Sequence, residues 1–342
     1  MESDARRLCD LGKEFLDRGE PEEALRCYER AIDADPENPD AWCGRGKASY
    51  DLGRLERADR DFRRALRLAR HELEEKSAKP GVRRWWADPT TRPYLRALHG
   101  HGLCRFWLGS YEDAARIFRR LLKLAPTDPL DVGFLVGETY LRMGRIERAV
   151  KELARVEDDP DALYNLGLAL FYAGDFAGSV NAFRRGIFAN LYLPALVTEQ
   201  PPADDPEFDE DEADDDASPR HPTDAGAHPK GLDSKNAARD YVDRCGDLWY
   251  GRPVLQRWLD GVRRHLTVEA DVKRHLAHLE TLAKGKLTAG ERARIEGENT
   301  TLRSPERLGA TDRAIAGDVL ASVFVLPPSP SSPPPNGAAP DA

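Results

Sequence analysis

Five cysteines and eight histidines are the side chains of this 342-residue chain best suited to nucleophilic or metal chemistry. Cys9, Cys27, Cys43, Cys104 and Cys245 show no CxxC spacing and leave an odd one over. They read as reduced thiols used as small apolar packing groups, not as metal ligands or a disulfide frame. Two histidine pairs stand close in sequence. His275-x-x-His278 lacks the glutamate and third ligand of a zinc helix, and reads as part of a solvated helix face. His99-x-His101 should point apart on one helix, position 99 toward a groove and 101 toward a packing interface. No nucleophile elbow G-x-S-x-G, phosphate loop G-x-x-x-x-G-K-[ST] or H-E-x-x-H occurs. Carboxylates abound, yet no pair is singled out for acid–base work. The residues point away from an enzyme, and no cofactor or metal is expected.

The elements that position these residues announce themselves by repetition. The first stretch carries Leu8, Leu11, Gly12, Phe15, Gly19, Ala24, Tyr28, Ala31 and Pro36. A second carries Trp42, Gly46, Gly53, Ala58, Phe62 and Ala65, and a third Leu98, Gly102, Gly109, Ala114, Phe118 and Pro126. The fourth has Gly137, Tyr140, Gly144, Ala149 and Leu153; the fifth has Leu163, Leu166, Gly167, Gly174, Ser179 and Phe183. Three registers advance together, at 12, 46, 102, 137 and 167, at 19, 53, 109, 144 and 174, and at 24, 58, 114, 149 and 179. Each register steps by 34, 56, 35 and 30 residues. Small residues in the first and third sets let two antiparallel helices approach. The middle glycines end the first helix in a left-handed conformation.

This pattern resembles the tetratricopeptide repeat (TPR), with Leu8 in place of the usual tryptophan. The resemblance implies an all-α fold: a right-handed helical-repeat solenoid of about five helix pairs, with a concave inner face. Residues 1–72 form repeats 1–2, 73–94 an insertion and 95–197 repeats 3–5. A narrower resemblance covers residues 84–258, where the run from Trp85-Trp86 through Asp88-Pro89 and Thr91-Arg92-Pro93-Tyr94, then LGLALFYAGD and IFANLYLPAL, is similar to the suppression-of-tumorigenicity-7 family. It implies helical-repeat architecture and no settled catalytic activity.

In TPR geometry the first helix of each repeat lines the groove. Transferred residue by residue, the candidate protein-binding positions are Arg6, Cys9 and Lys13, then Lys47 and Tyr50, then Arg96 and His99. The last two repeats add Phe134 and Glu138, then Tyr164 and Phe171. Basic groups gather in the N-terminal half and aromatics in the C-terminal half, which suits an extended segment with an acidic part and an apolar anchor. Cys9 and Gly44 stand where chaperone-tail members hold a terminal carboxylate, which argues against that ligand. Tyr164 and Phe171 have a second reading, as contacts for the insertion or for a C-terminal cap. Trp85 and Trp86 read as core.

Charge is unevenly placed. Residues 1–197 hold 33 basic and 33 acidic side chains, residues 198–232 hold 2 and 12, and residues 233–342 hold 16 and 15. A neutral repeat body lacks the basic stripe that nucleic acid requires. The Pro- and acid-rich stretch 198–232 is expected to be a disordered linker, able to fold back and bind the chain's own solenoid. Residues 233–326 read as a C-terminal helical region capping the last repeat. Ser234 suits an N-cap, Gly251 and Pro253 a turn, and Thr288-x-x-Glu291 a capping box. The tail 327–342 is Pro-rich and expected to be disordered. No apolar run approaches the ~20 residues of a membrane helix, and the first residues lack a secretion signal. The expectation is a cytoplasmic scaffold or adaptor that binds a protein or peptide, with no nucleic acid and no membrane partner. The alternatives are a permanent structural subunit, or an enzyme whose activity needs a partner or lies in the C-terminal region.

Overall fold

Small residues at fixed spacing produce five antiparallel helix pairs. The computed structural model describes residues 2–75, 85–128, 130, 132–156, 159–198, 235–283 and 287–323. Its pairs are α1 (Glu2–Asp17) with α2 (Pro21–Ala34), α3 (Pro39–Asp51) with α4 (Leu55–Glu75), and α5 (Arg92–Trp107) with α6 (Tyr111–Leu124). Next come α7 (Gly133–Arg142) with α8 (Ile146–Leu153), and α9 (Pro160–Ala173) with α10 (Phe176–Ala189). No strand occurs among the described residues. The five turn glycines all adopt φ between 68° and 78°, where a Cβ would be strained. Ala24, Ala58, Ala114, Ala149 and Ser179 are fully buried at the helix crossings. The crossings are closest in repeats 4 and 5, where a Cβ on Gly137 would lie 2.3 Å from Leu153 Cγ and one on Gly167 would lie 2.4 Å from Phe183 Cε1.

Local chemistry sets the helix starts. Asn38 Oδ1 accepts from the amides of Asp40 and Ala41 ahead of α3, with Pro39 in the first turn. Asp159 and Asp175 cap α9 and α10 in the same way. Trp85 and Trp86 are half-buried beside the core, Trp85 against the Tyr94 ring at 5.6 Å between centroids.

Beyond the pairs lie α11 (Leu193–Thr198), α12 (Lys235–Cys245), α13 (Pro253–Arg264), α14 (Leu266–Ala283), α15 (Ala289–Leu302) and α16 (Pro305–Val323). The turn at Gly251 (φ 74°) and the capping box of Thr288 and Glu291 stand where the sequence puts them. Helix α11 is an addition to that reading. The acidic stretch 198–232 beyond Thr198, Ser234, the tail 327–342 and the middle of the insertion lie outside the described residues.

One apolar core runs from Tyr50 and Phe62 through repeats 3–5 into Trp249, Trp258, Ile315 and Val319 of the C-terminal region. Repeat 1 has separate, smaller clusters around Tyr28 and Ile32. The last helices are fastened by a buried ion cluster. Arg184 of α10 donates to Asp271 (3.0 Å) and Asp312 (2.5 Å), and Arg307 also donates to Asp271 (2.8 Å). Burial would raise the Asp271 pKa, but Arg307 and Arg184 hold it below the usual carboxylate value. Buried charges persist only when paired in this way.

Candidate functional site

In the geometry of tetratricopeptide repeats the first helices, here α1, α3, α5, α7 and α9, line the concave face, and their surroundings divide into two unlike halves. Over repeats 1–3 no described segment covers that face. Arg6, Lys13, Asp40 and Arg96 are exposed, Cys9 and Lys47 are half-buried, and Cys43 lies beneath them. Two of the cations carry their own counter-ions: Lys47 Nζ lies 3.0 Å from Asp51, and Arg96 lies 3.7 Å from Asp40. This half of the groove is therefore mixed in charge, where the sequence suggests a basic one. Two candidate residues are core groups. Tyr50 is 1% exposed, and His99 is buried with Nε2 unpartnered among the described residues. Burial, then the nearby Lys47 charge, lower the His99 pKa to about 4, so its imidazole is neutral.

Over repeats 4–5 the concave face is filled by the chain's own C-terminal region. Arg244 of α12 donates through Nε to Glu138 (3.1 Å) and through its terminal nitrogen to Asp161 (2.6 Å). Its guanidinium lies 5.1 Å from the Phe134 ring centroid. Glu138 is fully buried and also accepts from Arg142 (3.0 Å), which reaches on to Asp247. Tyr164 is fully buried among Phe183, Tyr241 and Trp249. Tyr241 donates to Asn165 (3.0 Å) and accepts from Trp249 Nε1 (2.9 Å). Phe171 packs on Trp258, whose Nε1 donates to Ser179 Oγ (3.1 Å). Phe134, Glu138, Tyr164 and Phe171 are thus brought together, but as the seat of α12 and α13 and not as an open anchor site. The second reading of Tyr164 and Phe171, as cap contacts, is what the structure shows.

Nothing in this arrangement activates a nucleophile. Burial first, then Asp40 and Asp10, push the Cys9 thiol up to about 12, and burial does the same to Cys43. His101 faces Asp59 (2.7 Å) at a helix interface, as its register requires. His275 departs from expectation: it is buried, and both it and His278 donate through Nδ1 to Asn299 Oδ1 (3.0 and 2.8 Å). The pair fastens α14 to α15 where a solvated face was expected. No group of three or more metal-ligating side chains occurs among the described residues. No helix among them is long and apolar enough to cross a membrane.

Comparison with known proteins identifies the repeats. One tetratricopeptide-repeat family model matches residues 9–72 and 135–192, and a second matches 96–128. The chain carries tetratricopeptide repeats. It is 25% identical over 207 residues to RNA polymerase II-associated protein 3 of Rattus norvegicus, covering 55% of this chain and 28% of that protein. It is 23% identical over 222 residues to DnaJ homolog subfamily C member 3 of Homo sapiens, covering 54% and 42%. The chain spans less than half the length of either relative. Among solved structures, MamA from Desulfovibrio magneticus RS-1 aligns with a TM-score of 0.44 and 19% identity, over 54% of this chain and 93% of that one. These matches concern the repeats and leave the suppression-of-tumorigenicity-7 resemblance where the sequence put it.

Proposed function

We propose that this tetratricopeptide-repeat chain is a cytoplasmic adaptor that holds an extended segment of a partner protein along the concave face of repeats 1–3. The observation that carries this reading is the seating of α12 in repeats 4–5. There the concave face already grips a polypeptide segment, through a buried arginine between Glu138 and Asp161 and an aromatic bed. Among the described residues, repeats 1–3 present the same face without such a cover, and solenoids use this face for binding. Arg6, Lys13 and Arg96 are its exposed cations, with Asp40 among them. A partner segment of mixed charge suits them better than a uniformly acidic one. The chain acts by binding and not by catalysis, a reading supported by inert thiols and a buried neutral imidazole. The acidic stretch 198–232 is a candidate competitor for the same groove.

The test is affinity purification with the full chain, wild type beside Lys13→Glu/Arg96→Glu. Partners retained by the wild type and lost by the variant support groove binding. Equal capture by both sinks it.

A further inference from the structure

A second and larger set of cations without counter-ions lies on the opposite side of the solenoid. The second helices α4, α6 and α8 form the convex face of repeats 2–4. Arg67 of α4, Arg119, Arg120 and Lys123 of α6, and Arg148 and Lys151 of α8 are all exposed. None has a carboxylate within ion-pair distance among the described residues. Five of the acids that share these helices are engaged elsewhere, while Glu56 of α4 and Glu147 of α8 are exposed and in no ion pair among the described residues. Asp61 is taken by Arg45, Asp59 by His101 and Arg63, Asp113 by Arg105 and Arg116, Glu112 by Arg145, and Glu152 by Arg155.

Two buried tyrosines draw cations of successive helices together. Arg119 reaches the Tyr140 hydroxyl (3.4 Å), and the Arg148 guanidinium sits 5.8 Å from the centre of the same ring. Arg120 lies 5.6 Å from the Tyr94 ring centre. Burial raises the Tyr94 pKa, and Arg120 and Arg70 both pull it back, so α4 and α6 converge there as well. Like charges held this close without an anion repel each other, and the arrangement is relieved by an acidic ligand.

We propose that the convex face of repeats 2–4 binds an aspartate- and glutamate-rich polypeptide segment of a partner protein. Arginine clusters are a recurring means of recognising acidic motifs. A polypeptide fits better than the other polyanions. Tyr94 and Tyr140 are each 4% exposed and offer no face for stacking a base. None of the large exposed apolar side chains lies on α4, α6 or α8, so the face has nothing to insert into a bilayer. This site is separate from the concave groove and stands or falls apart from it.

The experiment uses the full chain and a labelled twelve-residue polyglutamate peptide, followed by fluorescence anisotropy. Binding should weaken at least about tenfold between roughly 50 and 300 mM salt. It should weaken about as much in Arg119→Gln/Lys123→Gln/Arg148→Gln/Lys151→Gln, whose substitutions are exposed and leave the circular dichroism unchanged. Lys13→Gln/Arg96→Gln should bind like wild type. Equal binding by wild type and the convex variant overturns the proposal. So does tighter binding of a DNA duplex or of anionic vesicles. A further arm replaces the acids of 204–216 by their amides. If wild type ignores the peptide and this variant binds it, the occupant is the chain's own acidic stretch and the partner assignment fails.

Discussion

Replacing Arg244 by alanine should release the C-terminal region from the groove. The substitution removes contacts to two carboxylates, Glu138 at 3.1 Å and Asp161 at 2.6 Å, and the guanidinium over Phe134. Breaking a buried ion pair from one side costs about 3–5 kcal/mol, because the remaining charge stays desolvated. Here Glu138 keeps Arg142, and Asp161 is 19% exposed and can recover some water. The lower end of that range, about 3 kcal/mol, is therefore expected. Trp249 and Trp258 are fully buried within the affected unit and report on it by fluorescence. With a urea slope of about 2 kcal/mol per molar, the tryptophan transition should fall by roughly 1.5 M. Arg257→Ala, an exposed control on α13, should stay within about 0.5 kcal/mol of wild type. A midpoint shift below about 0.3 M for Arg244→Ala would refute the view that this arginine fastens α12.

Three further outcomes follow from the same packing. Gly167→Ala should destabilise by about 1–3 kcal/mol, read as a lower Tm, because the new Cβ meets the Phe183 ring at 2.4 Å. Trp258→Phe should cost about 1 kcal/mol in urea titration for the lost bond to Ser179, while Tm of the unrelated control Arg257→Ala stays put. His99 is held neutral with its pKa depressed to about 4, so its contribution is fully present above the unfolded value of 6.5 and is lost as pH falls toward about 4. Replacing it with leucine should flatten the acid limb of stability in that window by up to about 3 kcal/mol, and an unchanged limb would show that another group governs it.

The repeat body was legible because its constraints are local. A turn glycine, a small residue at a crossing and a capping aspartate each act within one helix pair, and their spacing shows in the chain. Groove membership was legible only in part, since register says which way a side chain points but not what lies over it. Glu138 and Tyr164 point inward as register requires, yet they are covered by Arg244 and Trp249 from far along the chain. No periodicity connects such distant partners. The buried triad of Arg184, Asp271 and Asp312 is hidden for the same reason, and its members look like ordinary surface charges in sequence. His275 was misread because α14 carries polar residues around it, while Phe188 and Asn299 supply its burial from other helices. The charge on the concave face was overestimated because Asp51 sits one turn after Lys47 and neutralises it.

The long separation between the groove and its cover also has a consequence in time. Arg244 follows Glu138 by 106 residues. At about 5–20 residues per second, a ribosome needs roughly 5–20 s to supply the cover after repeat 4 has been made. In the later part of that interval, once repeat 5 has followed, the aromatic bed of repeats 4–5 stands uncovered on a nascent chain whose earlier repeats can already pair. Synthesis thus passes through an unfinished molecule with a sticky inner wall, which is the stage at which holding factors would engage it and at which slowed translation would do most harm.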